Sequence, residues 1–198
     1  SLLLLGNLTA QPLLPGFDAK EYAALLTLNF NFDKPADSTI PGPPPPFRRV
    51  YDSGEKGLMN RWNLWTRDDS TAVISIRGTV PHFKSWLDNF YAAMLPATGS
   101  LRLNDSTEFN YQLSSNPAAT VHAGWLLALA WLGPDMIREI RLWHDKGIRS
   151  FFIIGHSQGG AIAFLTRSYL YYAQKKGMIP SDLRFKTYCS AAPKPGNL

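Results

Sequence analysis

The sequence predicts an α/β fold in three layers, with helices covering both faces of a mostly parallel central sheet. Three observations predict it. Residues 151–154 (FFII) form a continuous apolar run, the pattern of a central parallel strand buried on both faces. A glycine-rich turn follows at once, and residues 158–176 then read as a helix that ends at Lys175-Lys176, with Gly177 as a left-handed stop. Residues 71–77 (TAVISIR) are a second β-branched, largely apolar run, bounded by Asp68-Asp69-Ser70 and Gly78-Thr79.

The remaining elements follow along the chain. Asp18 and Glu21 have capping-box spacing and Phe17 can staple onto Tyr22, so a helix packed on the core is expected from about residue 19 to 28. Residues 41–46 (PGPPPP) read as a stiff, extended surface loop rather than a ligand for a proline-binding module. Strands are expected at 48–53 and 60–67, the second forming a hairpin with 71–77 through Asp68-Asp69-Ser70. Residues 82–90 (HFKSWLDNF) give a short amphipathic segment whose apolar face is Trp86, Leu87 and Phe90. Residues 125–144 are helical, with Gly133-Pro134 marking a kink or a break and with Met136, Ile140 and Trp143 on one face. A last strand is expected at 184–192. No repeat or domain boundary appears, so residues 11–198 read as one domain.

The turn between strand and helix carries the chemistry. In Gly155-His156-Ser157-Gln158-Gly159 the serine sits at a strand-to-helix switch, the context of a nucleophile elbow. Projecting its hydroxyl out of the sheet requires a strained backbone, which brings the chain two residues before and after it into contact. Gly155 and Gly159 meet that demand. The helix N-terminus adds roughly half a positive charge and free N–H groups for an oxyanion. The competing reading is a glycine-rich turn that only packs.

Four blocks then resemble one family: Ile76-Arg77-Gly78-Thr79 with Ser85-Trp86-Leu87-Asp88-Asn89-Phe90; Val121-His122-Ala123-Gly124-Trp125; Gly155-His156-Ser157-Gln158-Gly159-Gly160-Ala161; and Ser190-Ala191-Ala192-Pro193-Lys194-Pro195-Gly196-Asn197. In this order they resemble the fungal-type, or class 3, lipases of the α/β-hydrolase fold, over about residue 71 to the end. The resemblance implies that Ser157 is the acyl nucleophile and that the backbone N–H groups of Thr79 and Gln158 form the oxyanion hole, with the Thr79 hydroxyl as a third donor. It also implies that 82–90 either opens as a lid at a lipid-water interface or packs as a fixed helix, the fixed helix being favoured.

That family places an acid and then a histidine after the serine. Here Asp182 is the one carboxylate after Ser157, and His82, His122, His144 and His156 all precede it. Asp182 lies before the last strand, where the family's acid follows it, and reads as a loop carboxylate. His156 should point away from the hydroxyl, His122 reads as structural, and His144 suits a helix C-terminus; His82 is a poor base. The acid and base are therefore expected outside this chain, which reads as C-terminally truncated and inactive alone.

Composition bounds the rest. A chain of 198 residues with 45% hydrophobic and 13% aromatic residues can build a sizeable core. Twenty basic against fifteen acidic residues, with a pI near 9.4, suit an anionic lipid surface or solubility alone. No nucleic-acid motif, metal cluster or phosphate loop is present in the sequence, so neither nucleic acid, metal nor cofactor is expected. Cys189 is the single cysteine and reads as a buried thiol. Residues 1–10 resemble the end of a secretory signal, too short for a transmembrane span, which favours a secreted or periplasmic location over a cytoplasmic one. The leading function is a lipase or carboxylesterase acting through an acyl-enzyme on lipid esters. A peptidase or thioesterase, and a non-catalytic lipid-binding protein, are the alternatives.

Overall fold

A computed structural model of the chain describes residues 13–32, 41–67 and 70–197. The elements run α1 (Ala19–Asn29), β1 (Arg48–Asp52), β2 (Trp62–Arg67), β3 (Thr71–Ile76), α2 (Phe83–Phe90), β4 (Met94–Pro96), β5 (Thr98–Arg102), β6 (Glu108–Gln112), β7 (Thr120–His122), α3 (Ala123–Asp145), β8 (Ser150–His156), α4 (Gln158–Lys175) and β9 (Arg184–Ser190). The signal-like residues 1–10 and the turn residues Asp68 and Asp69 lie outside the described residues.

The central sheet has the order β1-β2-β3-β8-β9. It is parallel through β3, β8 and β9 and antiparallel through β1, β2 and β3. The mixture follows from the connections. The link after β2 is too short for a crossover and forces a hairpin, whereas α3 and α4 carry the chain back for parallel pairing. Register brings Ile76 opposite Gly155 and His156 opposite Ser190.

Side chains alternate between two buried faces along β8, which explains its unbroken apolar run. Phe152 and Ile154 point to one face, where Leu25 and Leu28 of α1 pack with Trp65, Val73 and Tyr188. Phe151 and Ile153 point to the other, into the larger core under α3 and α4 with Trp62, Leu64, Ile74, Leu126, Leu129 and Leu170. Both faces being covered, the middle of the strand, Phe151 to Ile154, is apolar throughout.

Three local expectations change. Asp18 caps α1 by accepting from the N–H groups of Lys20 and Glu21, each at 2.9 Å, and Phe17 stacks 5.5 Å from Tyr22. The return half of the capping box does not form, because the Glu21 carboxylate instead takes the Tyr188 hydroxyl and Lys186, and the Asp18 N–H goes to the Tyr188 oxygen at 3.2 Å. Next, α3 runs unbroken through Gly133-Pro134, so the break does not occur. Its buried face, from Leu126 to Ile140 through Met136, holds the helix together across the missing proline N–H. Finally, residues 94–122, for which the sequence predicts no strand, form two small antiparallel pairs, β4 with β7 and β5 with β6. Among the described residues no helix is long and apolar enough to cross a membrane.

Candidate active site

Ser157 joins the end of β8 to the start of α4 with φ 54° and ψ −125°, a region that residues with a side chain rarely occupy. Close approach makes the flanking glycines obligatory. A Cβ on Gly155 would sit 2.1 Å from the Gly159 carbonyl oxygen, and one on Gly159 would sit 2.4 Å from the Ile76 oxygen. The turn is pinned by the Ser157 N–H donating to the Ser190 oxygen at 2.9 Å, and the Gly160 and Ala161 N–H groups donate to the Ser157 oxygen. The Ser157 side chain makes no capping bond to α4. Asp18, His82 and His122 all spend their side chains on caps, so the partly exposed Ser157 hydroxyl stands apart from the other N-cap groups.

The parallel register puts the residues after β3 beside the elbow. Thr79 Oγ1 donates to Gln158 Oε1 at 2.6 Å, and Asn89 Nδ2 donates to Thr79 Oγ1 at 3.0 Å. The Thr79 hydroxyl, expected as a third oxyanion donor, is committed to Gln158 in this conformation. Gln158 opens α4, where the first N–H groups have no helical acceptor. Its side chain is buried, and its Nε2 donates to Asp88 Oδ2 at 3.0 Å.

Residues 73–198 match the family model described as Lipase (class 3). The chain belongs to the class 3 lipase family. Its fold is similar to a Rhizomucor miehei lipase propeptide complex (TM-score 0.59, 18% identity, 90% of this chain and 54% of that one). It is also similar to a fungal lipase–inhibitor complex (0.62, 17%, 90% and 63%) and to a lipase from Rhizopus microsporus var. chinensis (0.57, 20%, 100% and 67%). The chain thus spans about half to two thirds of the length of these structures. No curated protein matches it in sequence.

Within this class 3 lipase domain, none of the four histidines hydrogen-bonds Ser157 among the described residues. His82 Nδ1 accepts from the Lys84 N–H at 3.2 Å and caps α2. His122 caps α3, its ring 3.9 Å from that of Trp125, and burial holds its pKa below the usual value. His156 Nδ1 meets Ser190 Oγ at 3.0 Å, with its ring 5.3 Å from Phe30, so it packs beside the elbow. His144 was expected to serve the carbonyls ending α3, yet its Nε2 lies 2.9 Å from Asp182 Oδ1, a loop carboxylate also paired with Arg149. That pair sits by the first residues of β8 and β9, and a seven-residue strand of about 23 Å separates that end of the sheet from Ser157.

The helix α2 turns its aromatic side outward. Phe83, Trp86 and Phe90 are 71%, 47% and 68% exposed, and Leu87 is half-buried. Ser85 and Asp88 are buried instead. Asp88 Oδ2 accepts from Asn60 Nδ2 at 2.7 Å, and Asn89 Oδ1 accepts from Trp125 Nε1 at 3.0 Å. Asn60, Asp88, Asn89 and Trp125 thus join the site although no sequence signal assigned them a role there. The one available signal is the polar stripe at 85, 88 and 89, which fits one face of a helix as well as the aromatic stripe at 83, 86 and 90 fits another. A groove of about 490 Å³ lies between Leu113, Val121, Phe164 and Ala192. Ser157 is not in its lining, and the elbow geometry rather than groove size identifies the site.

Proposed function

We propose that this domain is the nucleophile-bearing part of a secreted lipase or carboxylesterase that cleaves lipid esters through an acyl-enzyme. The observation that carries the reading is the strained Ser157 turn, with an uncommitted hydroxyl set at the N-terminus of a buried helix. Ser157 Oγ adds to the ester carbonyl carbon as its proton passes to a base, and the carbonyl oxygen becomes an oxyanion. The N–H groups of Gln158 and Thr79 donate hydrogen bonds to that oxyanion; loss of one such donor typically costs about 10²- to 10³-fold in rate. Collapse expels the alcohol, which takes the proton, and water then releases the acid from Ser157. The base and its orienting acid are expected beyond residue 198, since His82, His122, His144 and His156 are engaged elsewhere. That engagement also favours the second reading, a lipid-binding protein without turnover. The outward aromatic side of α2 supports contact with a lipid surface in either case.

Assay of the 198-residue chain and of a C-terminally extended form on p-nitrophenyl esters of varied acyl length separates the readings, with thioester and peptide substrates as further arms. The extended form is expected to turn over esters and the short one not. Ser157→Ala should lower kcat by roughly 10⁴-fold or more. Normal turnover in that variant refutes the assignment, and a silent extended form favours the binding protein.

A further inference from the structure

We propose that Asp88 and Asn60 are positioning residues for the oxyanion-binding turn: they grip Nε2 of Gln158 while Thr79 and Asn89 grip its Oε1, and so fix the direction of the Gln158 N–H. The assignment rests on the hydrolase reading above. It starts from a long, flexible carboxamide side chain on the residue after the nucleophile, buried at 2% exposure. Each of its polar atoms must find a partner there. Nε2 donates to Asp88 Oδ2 at 3.0 Å and reaches Asn60 Oδ1 at 3.4 Å; Oε1 accepts from Thr79 Oγ1 at 2.6 Å and Asn89 Nδ2 at 3.4 Å. With both ends of the amide held, the first residue of α4 cannot rotate.

The carboxylate is what gives this grip a polarity. An ionised carboxylate accepts and never donates, so Asp88 requires the Nε2 end of Gln158 to face it and leaves Oε1 for Thr79. A neutral amide at position 88 would permit either orientation. The placement is costly, because Asp88 is fully buried, its hydrogen-bond partners Asn60 and Gln158 are neutral, and its Oδ1 has no partner. Burial pushes its pKa up to about 7 against the lowering effect of those two bonds. From α3, Gly124 lies so near that a Cβ would meet the Asp88 carbonyl oxygen at 1.9 Å, and the titratable group of that end is His122. On the β3 side, Arg77 bonds Glu55 and the Met59 oxygen, each through Nη2.

The test is a pH titration of the ¹⁵N-labelled chain followed at the Gln158 side-chain and backbone N–H signals. In wild type both should move with the Asp88 carboxyl, near neutral pH, and in Asp88→Asn both should be flat. Identical Gln158 titrations in the two proteins overturn the proposal. Labelling of Ser157 by an alkyl fluorophosphonate, in the C-terminally extended form that is expected to supply the base, reads the chemistry. Asp88→Asn should slow it about tenfold with reagent affinity unchanged, and should add nothing in a Gln158→Leu background. Additive losses overturn the coupling. If wild-type Ser157 does not label, the hydrolase reading fails, and the Gln158 signals still decide the clamp.

Discussion

At the scale of single residues, the elbow is a steric problem solved by omission. Ser157 occupies its positive φ because the turn around it is over-determined by the Ser190 bond and by two glycines whose missing Cβ atoms leave room for backbone. Gly155→Ala should therefore lower unfolding free energy by about 3 kcal/mol or more, read from urea midpoints, since the neighbouring atoms are main chain and cannot rotate away. A loss under about 1 kcal/mol would show that the turn relaxes. Cys189 illustrates the opposite case, a group the environment silences: burial raises its thiol pKa to about 12. Residue-level chemistry was legible where it is written as spacing, as in Gly155, Ser157 and Gly159. It was not legible for Asn60 and Asp88, which are 28 residues apart and meet only because the chain leading into β2 and the helix α2 fold onto the same helix terminus.

Among the elements, α1 and α4 follow their local sequence signals, while the orientation of α2 is set by more than its own sequence. A cap, a staple and a glycine stop are local features, and local features survive folding: Asp18 caps α1, and Gly177 ends the chain of α4 at φ 69°. The orientation of α2 is decided by partners far away in sequence. Its polar stripe finds Asn60, Thr79, Trp125 and Gln158, and the bonds made there outweigh exposure of three aromatic rings. Replacing Phe83, Trp86 and Phe90 together by Ser should leave the urea midpoint near that of wild type and reduce partitioning onto phosphatidylcholine–phosphatidylglycerol vesicles at least tenfold. Each ring buries roughly 150–250 Å² when it enters a membrane interface. Unchanged vesicle binding would remove α2 from the lipid-facing surface. Pro134 teaches the same lesson in reverse, since a strong local breaker yields to the buried face on either side of it.

For the whole molecule, the three layers were legible because each central strand must be apolar on both faces, a demand that shows as an unbroken run. The small pairs β4–β7 and β5–β6 were not, being short, in part exposed, and interrupted by Pro96 and Gly99. Global stability should carry the imprint of Asp88. Its pKa rises from 3.8 to about 7 on folding, so the folded state holds the proton more tightly. The associated stability is fully present below about pH 4 and is lost as pH rises through 7, about 4 kcal/mol in all. Unfolding free energy in Asp88→Asn should lack this fall between pH 4 and 7, whereas a parallel fall in both proteins would place the proton elsewhere.

Thr79 and Ser157 lie three and two positions beyond a matched pair of adjacent strands, Ile76 and Gly155, with Arg77 and Gly78 intervening on one strand and His156 on the other. Donor and nucleophile are thus spaced by a ladder of amides, much as the teeth of a zip fix the distance between its two sides. Surface loops such as the 103–107 tip can accordingly be rebuilt, tagged or opened for permutation without disturbing the reactive geometry.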